Sequence, residues 1–243
     1  MKLRLMICAA AASTALFAGD NDATSATYAV MNVTNAYTDT IIAVPWVGLD
    51  GNTNTISGLV NTTTLAEGDK LYMYDNGTWY EYTKSEGVWT GATTITTSGD
   101  HTAESQVVAR GSGLILQRAS AGGTVLLCGR VDSNAIQTTI AANGKTLFAN
   151  PTASDVLLNT TFKTGAEYGD KIMIPQNSGG TLTYMFNGTE WGSTNRVEDG
   201  TINVGNRTIK KYKNEWQPGG SIPAGTGAWY ESKNSESRQI NWQ

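Results

Sequence analysis

Apolar and aromatic positions along this chain fall in short alternating runs broken by Gly, Asn and Ser. The stretch 68–89 reads GDKLYMYDNGTWYEYTKSEGVW. It predicts a strand over LYMY, a tight turn at Asn76-Gly77, a returning strand over TWYEYT, and a second turn at Ser85-Glu86-Gly87 before Trp89. Asn-Gly is the strongest two-residue hairpin signal, because both central positions of a type I′ turn need positive φ. Period two puts Trp79, Glu81 and Thr83 on one face of the returning strand.

The same order of landmarks recurs in 169–191, GDKIMIPQNSGGTLTYMFNGTEW. Gly-Asp-Lys returns at an offset of 101, Tyr184 stands where Tyr82 did, and Trp191 stands where Trp89 did, at an offset of 102. Further on, ARGSGLILQR (109–118) and TVLLCGRV (124–131) find counterparts in PAGTGAWYES (223–232) and RQINW (238–242), now at an offset of 114 at the Gly-x-Gly. The second copy therefore carries an insertion of about a dozen residues within 192–221. TIIAVPWV (40–47) and KTLFAN (145–150) precede the two copies as apolar strands. These patterns predict an all-β chain of two similar antiparallel β-sandwich or barrel-like modules from an internal duplication, 27–134 and 135–243, with six or seven strands each. Two copies are too few for an extended solenoid.

Composition agrees with strands. Charged residues are 16% of the chain, below the usual quarter or so. Beyond residue 20 the Ala, Glu, Lys and Gln runs of long helices are missing, while Thr, Val, Ile, Tyr and Trp abound. Residues 1–18 read as an export signal: Lys2 and Arg4 precede the apolar run Leu5–Phe17, which is too short to span a bilayer as a helix. Cleavage after Ala18 or after Ala26 fits this reading. Removing 1–18 leaves 15 basic and 21 acidic residues, a net −6, which argues against nucleic acid or anionic lipid as partner. Cys128 is then the only cysteine, so no internal disulfide can form. No further apolar run is long enough for a membrane helix.

The opening YAVMNVTNAYTDTIIAVPWVG, the Gly-Asp-Lys segments and the Gly-x-Gly-aromatic strand of AGTGAWY resemble uncharacterised secreted proteins of verrucomicrobial and planctomycete-type bacteria. The resemblance is loose, covers the mature chain, and implies an exported all-β protein with no assigned activity. The first copy departs from its aromatic pattern, with Leu114-Ile115 where the second has Ala228-Trp229. A site built on that aromatic would exist once.

Candidate chemistry is sparse. His101 is the only histidine and lies in a polar stretch, TTSGDHTAES. It reads as a solvated loop residue, not as the base of a Ser-His-Asp hydrolase, and no metal-ligand spacing accompanies it or Cys128. Cys128 sits in the apolar strand VLLCGRV and reads as a small buried hydrophobe. Asp50-Gly51-Asn52-Thr53-Asn54 resembles the start of a calcium loop, but Asn61 occupies the twelfth place, where a bidentate acid belongs. RGSG and GTG lack the lysine and helix of a phosphate loop. Asp69 and Asp170 read as turn formers whose carboxylates bond local amides. No catalytic residues, metal or cofactor are expected. Six Asn-x-Ser/Thr sequons, the first at Asn32, reflect composition.

Aromatic residues are the surplus, with seven Trp and ten Tyr. Trp89, Trp191 and Trp229 fall at repeat landmarks or in apolar strands and read as core. Trp79 alternates with polar residues, and Trp216 lies in KKYKNEWQPGG, the most basic piece of the chain. These two are the candidate ligand-binding residues. The expected function is that of a non-catalytic extracytoplasmic protein, structural or adhesive, at the cell surface or in the matrix. Self-assembly would run through a strand at residues 27–35 added to a neighbouring copy. The alternative is a carbohydrate-binding module that holds surface glycans on Trp79 and Trp216.

Overall fold

The computed structural model describes residues 28–34, 39–44, 54–61, 65–75, 78–94, 102–103, 106–119, 124–130, 135–152, 154–176, 180–204 and 207–242. Residues 1–18, expected to be an export signal, lie outside them, as do Trp46, Asp50 to Thr53, the turn expected at Asn76-Gly77, His101 and the side chain of Cys128. The described chain is all-β, with two single-turn helices.

The first half runs β1 (Tyr28–Thr34), β2 (Asp39–Ala43), α1 (Ile56–Leu59), β3 (Val60–Asn61), β4 (Lys70–Asp75), β5 (Thr78–Ser85), β6 (Val88–Thr94), β7 (Gly113–Gln117) and β8 (Thr124–Arg130). The second runs β9 (Ile136–Ile140), β10 (Lys145–Ala149), β11 (Val156–Leu157), α2 (Leu158–Thr161), β12 (Lys171–Pro175), β13 (Thr181–Phe186), β14 (Trp191–Val204), β15 (Arg207–Pro218), β16 (Ser221–Ile222), β17 (Gly227–Glu231) and β18 (Arg238–Trp242). Each half thus holds more than six or seven strands, because two-residue strands and the long β14–β15 hairpin add to the set.

Two antiparallel sheets dominate, ordered β2-β7-β4-β5-β6 and β10-β17-β12-β13-β14-β15. Read in chain order, the second repeats the strand order of the first and adds β15 at its end. In both halves the first strand pairs with the last, β1 with β8 and β9 with β18. Of the stretch 27–35 expected to reach a neighbouring copy, residues 28–34 are therefore already paired with β8 of their own chain, from Tyr28↔Arg130 to Thr34↔Thr124.

Alternation sorts the side chains. On β4, Leu71 and Met73 are buried while Tyr72 and Tyr74 face away; on β12, Ile172 and Ile174 are buried. Two apolar cores result. One gathers Ile42, Ile56, Val60, Leu71, Tyr82, Trp89, Leu114 and Leu116. The other gathers Phe148, Leu158, Phe162, Ile172, Trp191, Tyr230, Ile240 and Trp242. Each has a tryptophan whose indole N–H donates to a backbone carbonyl beside the single-turn helix: Trp89 to Val60 O and Trp191 to Phe162 O, both at 3.1 Å. A buried indole needs such an acceptor, and the match is what the shared position of Trp89 and Trp191 provides.

The halves meet edge to edge in a reciprocal pattern. Ala43 N–H donates to Gly225 O (3.2 Å) and Ala149 N–H to Gly111 O (2.9 Å). Ile42 bridges Thr226, and Phe148 bridges Ser112. Gly113 and Gly227 allow this approach: a Cβ on Gly113 would lie 2.9 Å from Phe148 O, and one on Gly227 would collide with Ile41.

Candidate functional site

The face of each large sheet that turns away from its core carries the aromatics not used in packing. On β4 and β5, Tyr74 and Trp79 are directly opposed in register, so their rings share a face. On β17, Ala228 and Tyr230 point into the core, so Trp229 points to the other side, beside its register partners Leu147 and Met173. Because the halves abut at Ile41, Gly113 and Gly227, these faces approach one another. Tyr74 and Trp79 lie 5.0 Å apart by ring centroid, Trp79 and Trp229 5.8 Å, and Tyr74 and Trp229 6.1 Å. All three are half-buried.

Their hydrogen bonding sets two of them apart. Trp89, Trp191, Trp216 and Trp242 each donate an indole N–H to an acceptor of the protein. Among the described residues the indole N–H groups of Trp79 and Trp229 have none. The trio therefore offers aromatic faces together with two unused donors.

Ion pairs flank it. Lys70 and Glu81, on the same sheet face as Tyr74 and Trp79, are 2.6 Å apart. Their bond raises the Lys70 pKa above its ordinary value. Glu231, two residues from Trp229, pairs with Lys233 at 2.7 Å. Its carboxyl is held below its ordinary value, first by that bond and further by the charges of Lys171, Lys233 and Lys145. Tyr72 donates its hydroxyl to Gln117 Oε1 (3.2 Å).

Among the described residues the matching positions of the two halves do not both carry it. The register of the second sheet puts Pro175 and Thr181 at the positions of Tyr74 and Trp79, and Ile115 is the third residue of β7 as Trp229 is of β17.

The two tryptophans singled out from the sequence are not brought together. Trp79 belongs to the trio. Trp216 is half-buried rather than exposed. It stands opposite Thr194 at the base of the β14–β15 hairpin, with its ring 2.7 Å from where a Cβ on Gly192 would lie, and it donates its N–H to Glu190 Oε1 (3.3 Å). It braces the hairpin. Sequence reasoning missed Tyr74 and assigned Trp229 to the core. Strand parity separates Tyr74 from Leu71 and Met73, and Trp229 from Ala228 and Tyr230. It does not say which parity is buried.

Among the described residues no cluster of three or more His, Cys, Asp or Glu side chains is placed to hold a metal ion, and no helix is long and apolar enough to cross a membrane. Compared with family models, curated proteins and solved structures, the chain matches none.

Proposed function

We propose that this is an exported, non-catalytic β-protein of the cell surface or extracellular matrix that works by adhesion, and that its adhesive contact is a carbohydrate held against Tyr74, Trp79 and Trp229. The trio is the observation that carries the reading. A pyranose presents an apolar face of polarised C–H bonds, which suits the negative face of an aromatic ring, and a rim of hydroxyls. Here the rings supply the first contact. The free indole N–H groups and the Lys70–Glu81 and Glu231–Lys233 pairs supply donors and acceptors for the second. The reading includes a duplicated origin for the two halves, supported by their matching strand order. Only one of the two equivalent sets of positions carries the aromatic rings.

A glycan array and tryptophan-fluorescence titration of the mature protein test it. Binding should be seen, and Trp79→Ala or Trp229→Ala should weaken it about tenfold or more, the equivalent of ~1.4 kcal/mol per ring. Trp216→Ala should leave affinity unchanged. Silence on every glycan, or binding indifferent to Trp79 and Trp229, overturns the reading.

A further inference from the structure

The β14–β15 hairpin is an arm. β14 pairs with β13 only at Phe186↔Trp191 and Met185↔Gly192, whereas it follows β15 from Gly192↔Pro218 to Val204↔Arg207, with one bulge between Glu198 and Thr201. Past its base the arm is exposed on both faces. Ile202 and Ile209 oppose each other on one face at 39% and 47% exposure, and Tyr212, on the other, is 46% exposed. Among the described residues the side-chain contacts beyond the base run within the arm: Arg196 over the Tyr212 ring at 4.0 Å, Lys210 to Glu198 at 2.8 Å, and Lys213 to Asp199 at 3.3 Å. A lone two-stranded ribbon is marginal in water, and the outer edge of β15 presents a row of backbone groups open to pairing.

Charge says what would cover it. Residues 191–218 hold five basic and three acidic residues, a net +2. Residues 27–134 hold five basic and ten acidic residues, a net −5. The arm is remote from its own first half. β15 ends the six-stranded order whose opposite end, β10 and β17, abuts that half, about 20 Å away at the usual strand spacing. The other outlying sheet end is β6, last in its own order. It begins at Val88, which is 53% exposed, and beside it stands the exposed Glu86, whose N–H donates to Glu67 Oε2 (2.9 Å); Glu67 in turn pairs with Lys84.

We infer that the arm of one copy docks on the β6 end of the first half of a second copy, head to tail. Ile202 and Ile209 cover Val88, and the basic residues of β15, Lys211 foremost, face Glu86. Gly91, at φ +69 beside the register shift between β5 and β6, limits backbone pairing to the first residues of β6, so side chains carry the contact. Arm and acceptor are different surfaces at opposite ends of the molecule. Such a heterologous contact propagates into an open filament unless its rotation closes a ring. This inference does not rest on carbohydrate binding.

Sedimentation and negative-stain microscopy of the mature protein over a range of concentration and salt test it. The protein should form oligomers that dissociate as salt rises. Replacing residues 195–214 with a Gly-Gly turn should leave a monomer that keeps the glycan affinity of the intact protein. Ile202→Ser with Ile209→Ser, which leaves the backbone in place, should raise the concentration needed for assembly by ~tenfold or more. Lys211→Glu and Glu86→Lys should each weaken assembly, and the two combined should restore it. A strictly monomeric protein, assembly that survives loss of the arm or of both isoleucines, or a charge exchange that fails to restore it would overturn the inference.

Discussion

The two halves handle a buried carboxylate in different ways. Asp69 and Asp170 occupy the same turn, and both are fully buried. Each accepts the N–H of the residue three positions earlier, Ala66 at 2.8 Å and Glu167 at 3.0 Å. Each also accepts an N–H from just beyond the neighbouring strand, Ala119 at 2.7 Å and Lys233 at 2.6 Å. The Gly-Asp turn thus fixes the carboxylate by local bonding, as expected of this residue pair. The remaining partner differs. Asp69 faces the buried Arg118 guanidinium at 2.9 Å. Asp170 accepts the hydroxyl of Tyr230 at 2.6 Å, and that hydroxyl accepts in turn from Arg238. Burial, and then the carboxylate, push the Tyr230 phenol far above its ordinary value, so it stays a donor. A local motif can specify a turn while leaving charge compensation to whichever side chain the next strand provides.

The largest expected effect separates these two solutions. Asp69→Ala removes the carboxylate that faces the buried Arg118 guanidinium and should cost about 3–5 kcal/mol. Asp170→Ala strands a neutral hydroxyl and should cost about 1–3 kcal/mol. Urea unfolding of both variants measures the difference, and equal losses would break the comparison.

A smaller effect probes the contact between halves. Gly227→Ala drives a methyl group into Ile41 and should cost about 1–3 kcal/mol. It should also weaken glycan binding, because Trp229 is carried on the same strand. Thermal unfolding read alongside the titration checks both, and an unchanged melting temperature would mean that the halves do not rely on this approach.

The smallest effect is a pH dependence at a position where the two halves differ. Glu231 is held below its ordinary value of 4.5 in the folded protein, while β7 ends in the neutral Gln117. A lowered folded pKa means that the stabilisation is present above the unfolded value and is lost as pH falls through the folded one. The pair is solvent-screened, so the gain should stay below about 1 kcal/mol. Lys233→Ala should flatten the stability profile below pH 4.5 if this is the source of the slope.

Local sequence carried much of the architecture. Alternation, Gly-Asp turns and β-branched residues specify strands and their ends through backbone preferences that act over a few residues. This is why the positions of β4, β5, β12 and β13 and the core roles of Trp89 and Trp191 could be read directly. That the stretch 192–221 forms a projecting hairpin was not legible. Nor was the membership of the aromatic site. Tyr74 and Trp79 are neighbours on one hairpin, but Trp229 reaches them only because Gly113 and Gly227 let the two halves close on each other. Parity along a strand says which side chains share a face. Which face is buried, and what stands opposite it, depends on contacts between distant segments, and those the tertiary structure alone decides.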